Sequence, residues 1–472
     1  MLSWPNSECT IDTNDFMKKI LETKNRQTAE RQGLLHEGEE VPYEKVVDLI
    51  RNPETFANRI DEPYTLNVED GVTLSGRTIE LEGGYFTNMY DLVFPGSDVN
   101  MRSDIFTTKR PLYPHRIFAD EVNVSGTPIA CINGSFFFLQ DEQIDLSPVE
   151  IVYNLDVREG WVLGLPSANR PALIIKKSGR IEAVNLDASG LMLIGNKTVR
   201  WVGGESVAHQ KSEISVVSGQ GVLFNSACCT IRYDNGGDKT SLRRPIRQLH
   251  SSPRAEDVVD VVVKAGTDGM LRVIAVNNGG GTDFFVGNFI VQLHRDDARG
   301  INIGDVVLPQ TVGCINLQDV HSAITTGPLV HHFLLKDDHE INLDSSLGSF
   351  PPFAPGVRYA RSVMYEDVDG LVHMVVFDAV PLSKFMKGVT PKEVAKNIPE
   401  NARWAVFLDG GQSSRITFRS GSDVDARGNR QYVRLHKTDK VTKESPIDVR
   451  FLWSARGRPL TTMIVLKKIP KK

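Results

Sequence analysis

The sequence predicts an α+β fold, with a large mixed β-sheet domain, a few helices and a small helical extension at the N-terminus. Three observations predict it: helical apolar spacing in the first 60 residues, a period of two from about residue 62, and few strong helix patterns among the strand-like segments that follow. We therefore expect an extension at residues 1–60 and one large domain at residues 61–472.

Two segments predict the helical extension. Residues 15–21 and 43–50 place apolar side chains at the spacing of one helix face. Pro42 precedes the second segment, and proline suits the first turn of a helix, where its missing N–H needs no partner. Nothing in these residues indicates chemistry, so we expect a structural appendage or a partner-binding segment.

Short strands separated by turn pairs predict the sheet domain. Alternating segments at residues 65–68 and 72–74 flank Asp70-Gly71, and such glycine-containing pairs favour turns. Similar strand-like segments occur at residues 78–81, 172–175, 214–217, 258–263, 271–276 and 289–291. Because no fixed-period repeat and no low-complexity tract interrupts them, one large domain is the simplest interpretation.

The composition excludes some classes of protein. The chain has 472 residues, a net charge of −5, 40% hydrophobic and 24% charged residues, which is typical of a soluble globular protein. A nucleic-acid binder would show a basic excess, so we expect no nucleic-acid partner. The N-terminal residues lack a signal-peptide pattern, and no apolar run reaches the roughly 18 residues of a membrane span. We expect a cytoplasmic protein whose oligomeric state stays open.

The cysteines and histidines predict no metal centre. The five cysteines show no CxxC spacing and no Cys/His zinc pattern. Cys228 and Cys229 could form a redox pair, or they could alternate sides of a strand as small hydrophobic residues. His331 and His332 are expected on a strand, where adjacent residues point to opposite faces and cannot easily serve one metal ion.

The stretch at residues 403–417 is the strongest indication of a site. Residues 405–408 form a continuous apolar run, which favours a strand buried on both faces. The run ends in one acidic residue, two glycines and two serines: Asp409, Gly410, Gly411, Ser413 and Ser414. A carboxylate at a strand end is typical of α/β active sites, whereas Asp-Gly is also a strong hairpin signal. Both interpretations stay open on this stretch alone.

A second strand end carries an amide. The apolar residues 129–132 run into Asn133-Gly134-Ser135 and three aromatic residues. Asn133 offers a donor and an acceptor at the end of the strand. Asn-Gly is also a common turn pair, so a turn followed by a core strand explains the same residues.

Residues 357–365 and 371–378 predict a hairpin. Arg361 and Asp378 lie near the outer ends of its two strands, and those ends are neighbours in a hairpin. The two side chains could form a salt bridge, or Arg361 could bind a phosphate through two parallel hydrogen bonds.

A helix start is predicted at residues 388–395. Thr390 suits the N-cap, Pro391 suits the first turn, and Glu393 completes a capping box. Such a cap contributes about 1 kcal/mol, which explains the pattern without a functional role. A helix N-terminus also presents N–H groups to an anion, so a phosphate site near Thr390 is compatible with the cap.

The order of these motifs resembles the phosphodiester glycosidase family. The resemblance covers roughly residues 125–466 and rests on Asn-Gly-Ser-Phe-Phe at 133–137, Gly-Pro-Leu-Val at 327–330, Arg361 on a strand, Phe-Asp-Ala at 377–379, the helix start at 388–395, and Leu-Asp-Gly-Gly-Gln-Ser-Ser at 408–414. Two positions depart from the family pattern: Ser135 and Ala379 stand where family members commonly have glycine.

The resemblance implies hydrolysis of a sugar-1-phosphodiester at the glycosidic carbon, with release of a sugar and a phosphomonoester. It makes residues 61–472 a phosphodiester glycosidase-like catalytic domain with a sugar-phosphate substrate. Phosphate is a good leaving group, so the reaction mainly needs an activated water or nucleophile and a held phosphate.

The resemblance also implies roles for individual residues. The expected catalytic residues are Asp409, Asp378 and Arg361, and the expected substrate-binding residues are Asn133, Gly134, Thr390, Gly410, Gly411, Ser413 and Ser414. We expect Asp409 to act as base or nucleophile. Arg361 and the N–H groups near Thr390 bind the phosphate, assisted by the two serines. Asn133 and Asp378 orient the sugar or the catalytic groups.

Two other classes of function stay open. One is a metal-dependent phosphodiesterase, in which Asp378 and Asp409 hold Mg²⁺ or Ca²⁺ through carboxylate oxygens. The other is a non-catalytic carbohydrate-binding or structural protein with the same fold. The glycosidase itself needs no cofactor, although a divalent cation is compatible with the sequence.

Overall fold

Strands make up most of the regular structure of this chain. The computed structural model describes residues 57, 59–97, 100–112, 126–135, 155–204, 216–225, 233–234, 244–245, 251–284, 288–335, 356–380, 383–419, 446–450 and 460–469. These residues contain 26 strands: β1 (Tyr64–Glu69), β2 (Val72–Glu80), β3 (Phe86–Pro95), β4 (Met101–Leu112), β5 (Thr127–Asn133), β6 (Asp156–Arg158), β7 (Trp161–Gly164), β8 (Arg170–Lys176), β9 (Ile181–Leu186), β10 (Ser189–Ile194), β11 (Lys197–Gly203), β12 (Gly221–Asn225), β13 (Tyr233–Asp234), β14 (Arg244–Pro245), β15 (Val258–Ala265), β16 (Leu271–Asn278), β17 (Asn288–His294), β18 (Val306–Val312), β19 (Ile315–Asn316), β20 (Val320–Thr325), β21 (Arg361–Glu366), β22 (Leu371–Phe377), β23 (Trp404–Phe407), β24 (Arg415–Arg419), β25 (Pro446–Arg450) and β26 (Leu460–Lys468).

The predicted α+β class is wrong, because the described part of the chain is mostly β. Its three α-helices are short: α1 (Arg295–Ala298), α2 (His332–Leu335) and α3 (Pro391–Asn397). The helix start predicted at residue 390 is present, but its helix has seven residues and ends before Pro399. The strand predicted at His331 and His332 is also wrong, since His332 begins α2.

The predicted helical extension, residues 1–60, does not support an α+β class either. It lies outside the described residues apart from residues 57, 59 and 60, and these three are in neither helix nor strand. The helical spacing that favours a helical part lies at residues 15–21 and 43–50, outside the described residues. The alternating segments that follow form strands, except the segment at residues 214–217, of which the described Val216 and Val217 are in neither helix nor strand.

Four sheets and one two-stranded pair, β13–β14, account for the described strands. The central sheet has the order β1-β2-β3-β22-β21-β23, the flanking sheet β25-β24-β5-β26-β4, the connecting sheet β7-β6-β20-β8-β9, and the closed sheet β10-β11-β12-β17-β15-β16-β18-β19. The closed sheet returns on itself, because β10 also pairs with β18. Among the described strands, β11 and β12 are the parallel neighbours and the other pairs are antiparallel.

The central sheet is buried on both faces. On one face, Val406 of β23 shares a hydrophobic cluster with Ile132 of the flanking sheet and with residues of the connecting sheet. On the other face, Phe407 packs with Val394 of α3 and with Phe333 of α2, whose ring centroid lies 5.5 Å from that of Phe407. The central sheet is therefore a layer between two helices and two other sheets.

A second core fills the closed sheet. Val261 of β15 and Trp201 of β11 belong to a cluster that also includes Ile174 of the connecting sheet. Leu173, the neighbour of Ile174, belongs to the cluster of the central sheet. Because side chains alternate along a strand, the connecting sheet joins the two cores through its two faces.

The strand β23 is the buried strand that the apolar run predicts. Val406 faces the flanking sheet, while Ala405 and Phe407 face the helices, so no position is left for a polar side chain. Burying each large apolar side chain contributes about 1.5–3 kcal/mol.

The outer edge of β23 is covered by residues 327–330, with Phe407 N donating to Pro328 O at 3.0 Å. The predicted buried strand and the predicted hairpin of β21 and β22 are both confirmed.

A histidine between two carboxylates lies on β22. Nδ1 of His373 is 3.0 Å from Oδ2 of Asp91, and Nε2 is 3.4 Å from Oδ2 of Asp367. The ring stacks on Tyr365, with centroids 4.1 Å apart. Burial lowers the pKa of His373, but the hydrogen bonds and charges of Asp91 and Asp367 outweigh burial, so the pKa is raised. The protonated ring thus links β3, β22 and the turn after β21.

We expect the His373→Gln variant to lose stability mainly at low pH. A group whose folded-state pKa is raised contributes its stability below the unfolded value of 6.5 and loses it as the pH rises through the folded-state value. The free energy of unfolding should fall by roughly 1–3 kcal/mol at pH 6 and much less at pH 9. Urea denaturation at the two pH values measures this. An equal loss at both would mean that the ring acts by packing on Tyr365 alone.

Candidate active site

Strand ends from two sheets meet at one end of the central sheet. Arg361 begins β21 and pairs with Phe377, the last residue of β22. Just beyond β23, Leu408 N donates to Ser362 O at 2.9 Å. Because antiparallel neighbours run in opposite directions, the start of β21 lies between the ends of β22 and β23. Asn133, the last residue of β5, approaches this place from the flanking sheet.

The buried side chain of Asn133 connects the two sheets. Its Nδ2 donates to the carbonyl oxygen of Asp409 at 2.7 Å. Its Oδ1 accepts from Ser362 Oγ at 2.6 Å and from the backbone N–H of Arg415 at 3.2 Å. Since Asn133 is 0% exposed, it presents no amide group to solvent and instead fixes the segments around Asp409.

Asp409 is held by its backbone while its side chain stays half-buried. Its N–H donates to Gly134 O at 3.0 Å, and its carbonyl oxygen accepts from Asn133. Its Oδ1 accepts from the N–H of Gly410 at 2.9 Å. The strand end therefore presents a carboxylate of fixed orientation that remains partly accessible to solvent.

Two glycines allow the close approach of these segments. A Cβ at Gly134 would lie 2.8 Å from Oγ1 of Thr462, so this position has no room for a side chain. Gly411 has a φ of +65°, a conformation that favours glycine, and its N–H donates to Ala360 O at 2.9 Å. The single 3-10 turn Gly411–Ser413 follows. The hairpin that Asp-Gly could signal is not present, because β23 and β24 belong to different sheets. The turn connects the two sheets and carries the candidate site.

Buried hydroxyls without a partner lie in the same segments. Among the described residues, Oγ of Ser413 and Oγ of Ser414 are buried and have no hydrogen-bond partner, and the two residues are 0% and 1% exposed. The hydroxyl of Ser135 is also buried and also has no hydrogen-bond partner. Buried polar groups normally have partners. The described residues contain other such atoms, for example Oγ of Ser103 and Nε1 of Trp201, but the first three hydroxyls lie in the two segments that meet at Asp409.

Arg361 is buried on the helix-facing side of the central sheet. Its Nε donates to Val389 O and its Nη2 donates to Val357 O, both at 3.0 Å. Its guanidinium carbon lies 5.8 Å from the ring centroid of Phe407, and the residue is 1% exposed. Burial lowers the pKa of Arg361, but the group remains charged at neutral pH. Arg361 therefore places a positive charge behind the loop of the site.

Asp378 lies on the opposite face from Arg361. Its N–H donates to Asn88 O at 2.9 Å, and its carbonyl oxygen accepts from Thr87 Oγ1 at 2.8 Å. Its Oδ1 accepts from Ala379 N at 2.7 Å. Arg361 pairs with the residue before Asp378, and side chains alternate along a strand. The strand ends are neighbours as predicted, but the two side chains point away from each other.

The predicted capping box of α3 is present, and it fills the helix N-terminus. Thr390 Oγ1 accepts from Glu393 N at 3.2 Å, and Glu393 Oε2 accepts from Thr390 N at 2.8 Å. The Glu393 carboxylate also accepts two hydrogen bonds from Arg358, at 2.6 and 2.7 Å. A phosphate near Thr390 would have to compete with this carboxylate, so the geometry favours the role of Thr390 as a cap.

Sequence reasoning missed Ser362 and Arg415. Ser362 follows Arg361 on β21 and contacts Asn133 from the other face of the sheet. Its signal was a polar residue in a strand whose other interior positions are apolar. Arg415 acts through its backbone N–H, which no residue type could have predicted.

The remaining predictions concern metals, cysteines and membranes. Among the residues that the structure describes, no group of three or more His, Cys, Asp or Glu is arranged to hold a metal ion. Cys131 is buried and Cys314 is exposed, while Cys228 and Cys229 lie outside the described residues. In the described ranges, no helix combines the length and the apolar character needed to cross a bilayer.

The part of the chain that carries β21 to β23 and the loop of Asp409 is similar to a known protein family. Residues 263–451 match the phosphodiester glycosidase family. The predicted resemblance is therefore confirmed over this range, which includes Arg361, Asp378 and Asp409 but not Asn133. At the level of the phosphodiester glycosidase family, the match supports a hydrolase.

Solved structures with low sequence identity are similar to this chain over most of its length. A hypothetical protein from Synechocystis is 14% identical, with 86% of this chain and 63% of that chain covered and a TM-score of 0.48. A putative exported protein from Burkholderia pseudomallei K96243 is 15% identical. The similarity covers 82% of this chain and 74% of that chain, with a TM-score of 0.45. The zebrafish N-acetylglucosamine-1-phosphodiester alpha-N-acetylglucosaminidase catalytic domain, auto-inhibited by its pro-peptide, is 10% identical, with 88% and 85% covered and a TM-score of 0.36. No curated protein sequence matches the chain.

We expect Asn133→Asp to destabilise the protein more than a matched change elsewhere. The new carboxylate oxygen would face the carbonyl of Asp409 without a donor, at a fully buried position. The expected loss is about 2–4 kcal/mol in the free energy of unfolding, measured by urea denaturation. The control is Asn225→Asp, where Nδ2 donates to Leu165 O at 2.8 Å at a partly buried position. A loss no larger than that of the control would contradict the linking role of Asn133.

Proposed function

We propose that this protein hydrolyses a sugar-1-phosphodiester at the glycosidic carbon, releasing a sugar and a phosphomonoester. The observation that carries the proposal is the oriented, half-buried carboxylate of Asp409 in the same loop as the buried, unpartnered hydroxyls of Ser413 and Ser414. The family match covers all three residues. A fixed base beside hydroxyls that lack partners suits a site that binds phosphate and activates water next to it.

Asp409 is the carboxylate that we assign to the reaction. A general base must come within hydrogen-bond distance of the water that it activates. Asp378 is 1% exposed and is tied to β3, whereas Asp409 is half-buried. In the proposed step, Asp409 takes a proton from water as the water attacks the anomeric carbon. Alternatively, Asp409 attacks that carbon itself, and water then hydrolyses the glycosyl ester, which frees the sugar and restores the carboxylate. The bond from carbon to the phosphate oxygen breaks, and the phosphomonoester leaves with the electron pair.

The phosphate is held, in this proposal, by the loop that follows Asp409. The hydroxyls of Ser413 and Ser414 donate to phosphate oxygens, which gives these buried groups the partners they lack in the protein alone. Arg361 contributes its positive charge from behind the loop, where its own hydrogen bonds hold the segments at Val357 and Val389. The charge is desolvated, so it acts on the phosphate through little intervening water.

The other predicted residues hold the site in shape. Asn133 and Gly134 fix the backbone of Asp409, and Gly410 donates to its carboxylate. Asp378 fixes the end of β22 against β3. These residues are positioning residues in the proposal, because the hydrogen bonds they make join segments of the protein to each other.

We expect Asp409→Asn to abolish sugar release from a sugar-1-phosphodiester. The assay follows free sugar from UDP-N-acetylglucosamine and from sugar-1-phosphate methyl diesters. Losing the base should lower kcat/KM by about 10²-fold or more, and Arg361→Ala should lower it by more than about tenfold. The matched control is Asp268→Asn, an exposed carboxylate paired with Arg272 in the closed sheet, which should leave turnover unchanged. Thermal unfolding of each variant separates lost chemistry from lost folding.

The same assay distinguishes the other classes of function. Sugar release that survives EDTA supports the glycosidase. Release that EDTA abolishes and Mg²⁺ or Ca²⁺ restores would replace it with a metal-dependent phosphodiesterase. Sugar binding without release from any diester would favour a carbohydrate-binding protein, and would contradict the proposed reaction.

We expect Ser413→Ala and Ser414→Ala to lower activity without lowering stability. Neither hydroxyl has a hydrogen bond to lose in the protein alone, so the free energy of unfolding should stay within about 0.5 kcal/mol of the wild type. The value of kcat/KM should fall by about tenfold for each. The control is Ser322→Ala, whose buried Oγ donates to Asp104 Oδ1 at 2.6 Å and whose loss should reduce stability instead. The reverse pattern would mean that the two serines are structural.

A further inference from the structure

We propose that Tyr359 is the side chain on which the sugar ring of the substrate packs. The inference rests on the proposed function, because it assigns the sugar-binding surface of the same site. It starts from an exposed aromatic side chain: 45% of Tyr359 is accessible to solvent, next to a loop whose described side chains are half-buried or buried. Because the ring is exposed, a ligand bound near Asp409 could pack on it without displacing core side chains.

The ring of Tyr359 lies against Gly411, the second residue after Asp409. A Cβ at Gly411 would be 3.1 Å from Cε1 and 3.2 Å from Cδ1 of the ring, so one edge of the ring packs on the loop. The N–H of Gly411 donates to the carbonyl of Ala360, the residue after Tyr359. The ring and the loop therefore form one surface beside Asp409.

The backbone of Tyr359 is fixed from its other side. Its N–H donates to Val389 O at 3.1 Å, and Val389 N donates to its carbonyl oxygen at 2.9 Å. Gly388 makes this contact possible, because a Cβ there would lie 2.4 Å from the carbonyl group of Tyr359. An aromatic side chain on a fixed backbone loses little conformational freedom when a ligand packs on it.

The chemistry of the two halves of the substrate assigns this surface to the sugar. One face of a pyranose ring carries C–H groups, which pack well on an aromatic ring while the hydroxyls keep their hydrogen bonds. The phosphate needs hydrogen-bond donors and positive charge, which Ser413, Ser414 and Arg361 supply. Tyr359 lies in the same surface and offers mainly apolar area, so it suits the sugar.

The test compares Tyr359→Ala and Tyr359→Phe with the wild type. The control is Trp161→Ala, because Trp161 is also half-exposed and packs on a glycine, Gly269, but lies on β7 outside the site. The measured quantities are kcat and KM for a panel of 1-phosphodiesters of N-acetylglucosamine, glucose and galactose, and inhibition constants for the free sugars and for inorganic phosphate.

We expect Tyr359→Ala to raise KM, and the inhibition constant of the free sugar, by about tenfold, the size of effect that an aromatic contact gives. The inhibition constant of phosphate and kcat should change little, since the lost contact is with the sugar in both ground and transition states. Tyr359→Phe should behave like the wild type, because the ring is kept, and so should Trp161→Ala. If Tyr359 only stabilised the fold of the site, Tyr359→Ala would change the inhibition constants of the free sugar and of phosphate together.

Other outcomes distinguish this inference from the proposed function. If Tyr359→Ala leaves both KM and the inhibition constant of the free sugar unchanged, the inference is overturned and the proposed function stands. A change in the phosphate constant instead of the sugar constant also overturns it. If the wild type binds a sugar of the panel by calorimetry but hydrolyses no diester, the proposed function fails, and weaker sugar binding by Tyr359→Ala still supports the role of Tyr359. If no diester of the panel is hydrolysed and no free sugar is bound, both the inference and the proposed function fail.

Discussion

The side-chain amide of Asn133 is the contact on which the arrangement of the candidate site depends. One end of it donates to the backbone next to the carboxylate of Asp409, and the other end accepts from Ser362 and Arg415. Asparagine is suited to this position because it combines a donor and an acceptor in one planar group. An apolar side chain of similar size would leave three buried polar groups unsatisfied, which a marginally stable protein does not easily tolerate.

Burial and hydrogen bonding together divide the polar residues of the site. Asn133, Asp378 and Arg361 are at most 1% exposed and hydrogen-bond to neighbouring strands and loops, so they set the positions of others. Ser413 and Ser414 are equally buried, but their hydroxyls have no partner among the described residues, which is why the proposal gives them to the phosphate. Asp409 and Tyr359 reach the surface and can contact a substrate. This division explains why many polar residues lie at one end of the central sheet although few of them are accessible. The buried group holds the geometry that the accessible group needs.

Sequence reasoning was accurate where a pattern is local. The apolar run of β23, the hairpin of β21 and β22 and the capping box at Thr390 follow from residues that are close in the chain. The α+β class was wrong because it gave weight to helical spacing, while the described chain forms mostly strands. The faces of Arg361 and Asp378 could not be predicted, since a shift of one residue in strand register reverses them. The main-chain contact of Arg415 has no sequence signal.

The distance along the chain between Asn133 and Asp409 has a consequence for how the protein acquires its site. The two residues are 276 positions apart, and the strand of Asn133 pairs with β24 and β26 near the other end of the sequence. Closing such a long loop is entropically unfavourable until many other contacts form, which places this pairing late in folding. A nascent or partly folded chain therefore carries no oriented carboxylate at Asp409, because the contacts that orient it form only once β5 has paired with β24 and β26.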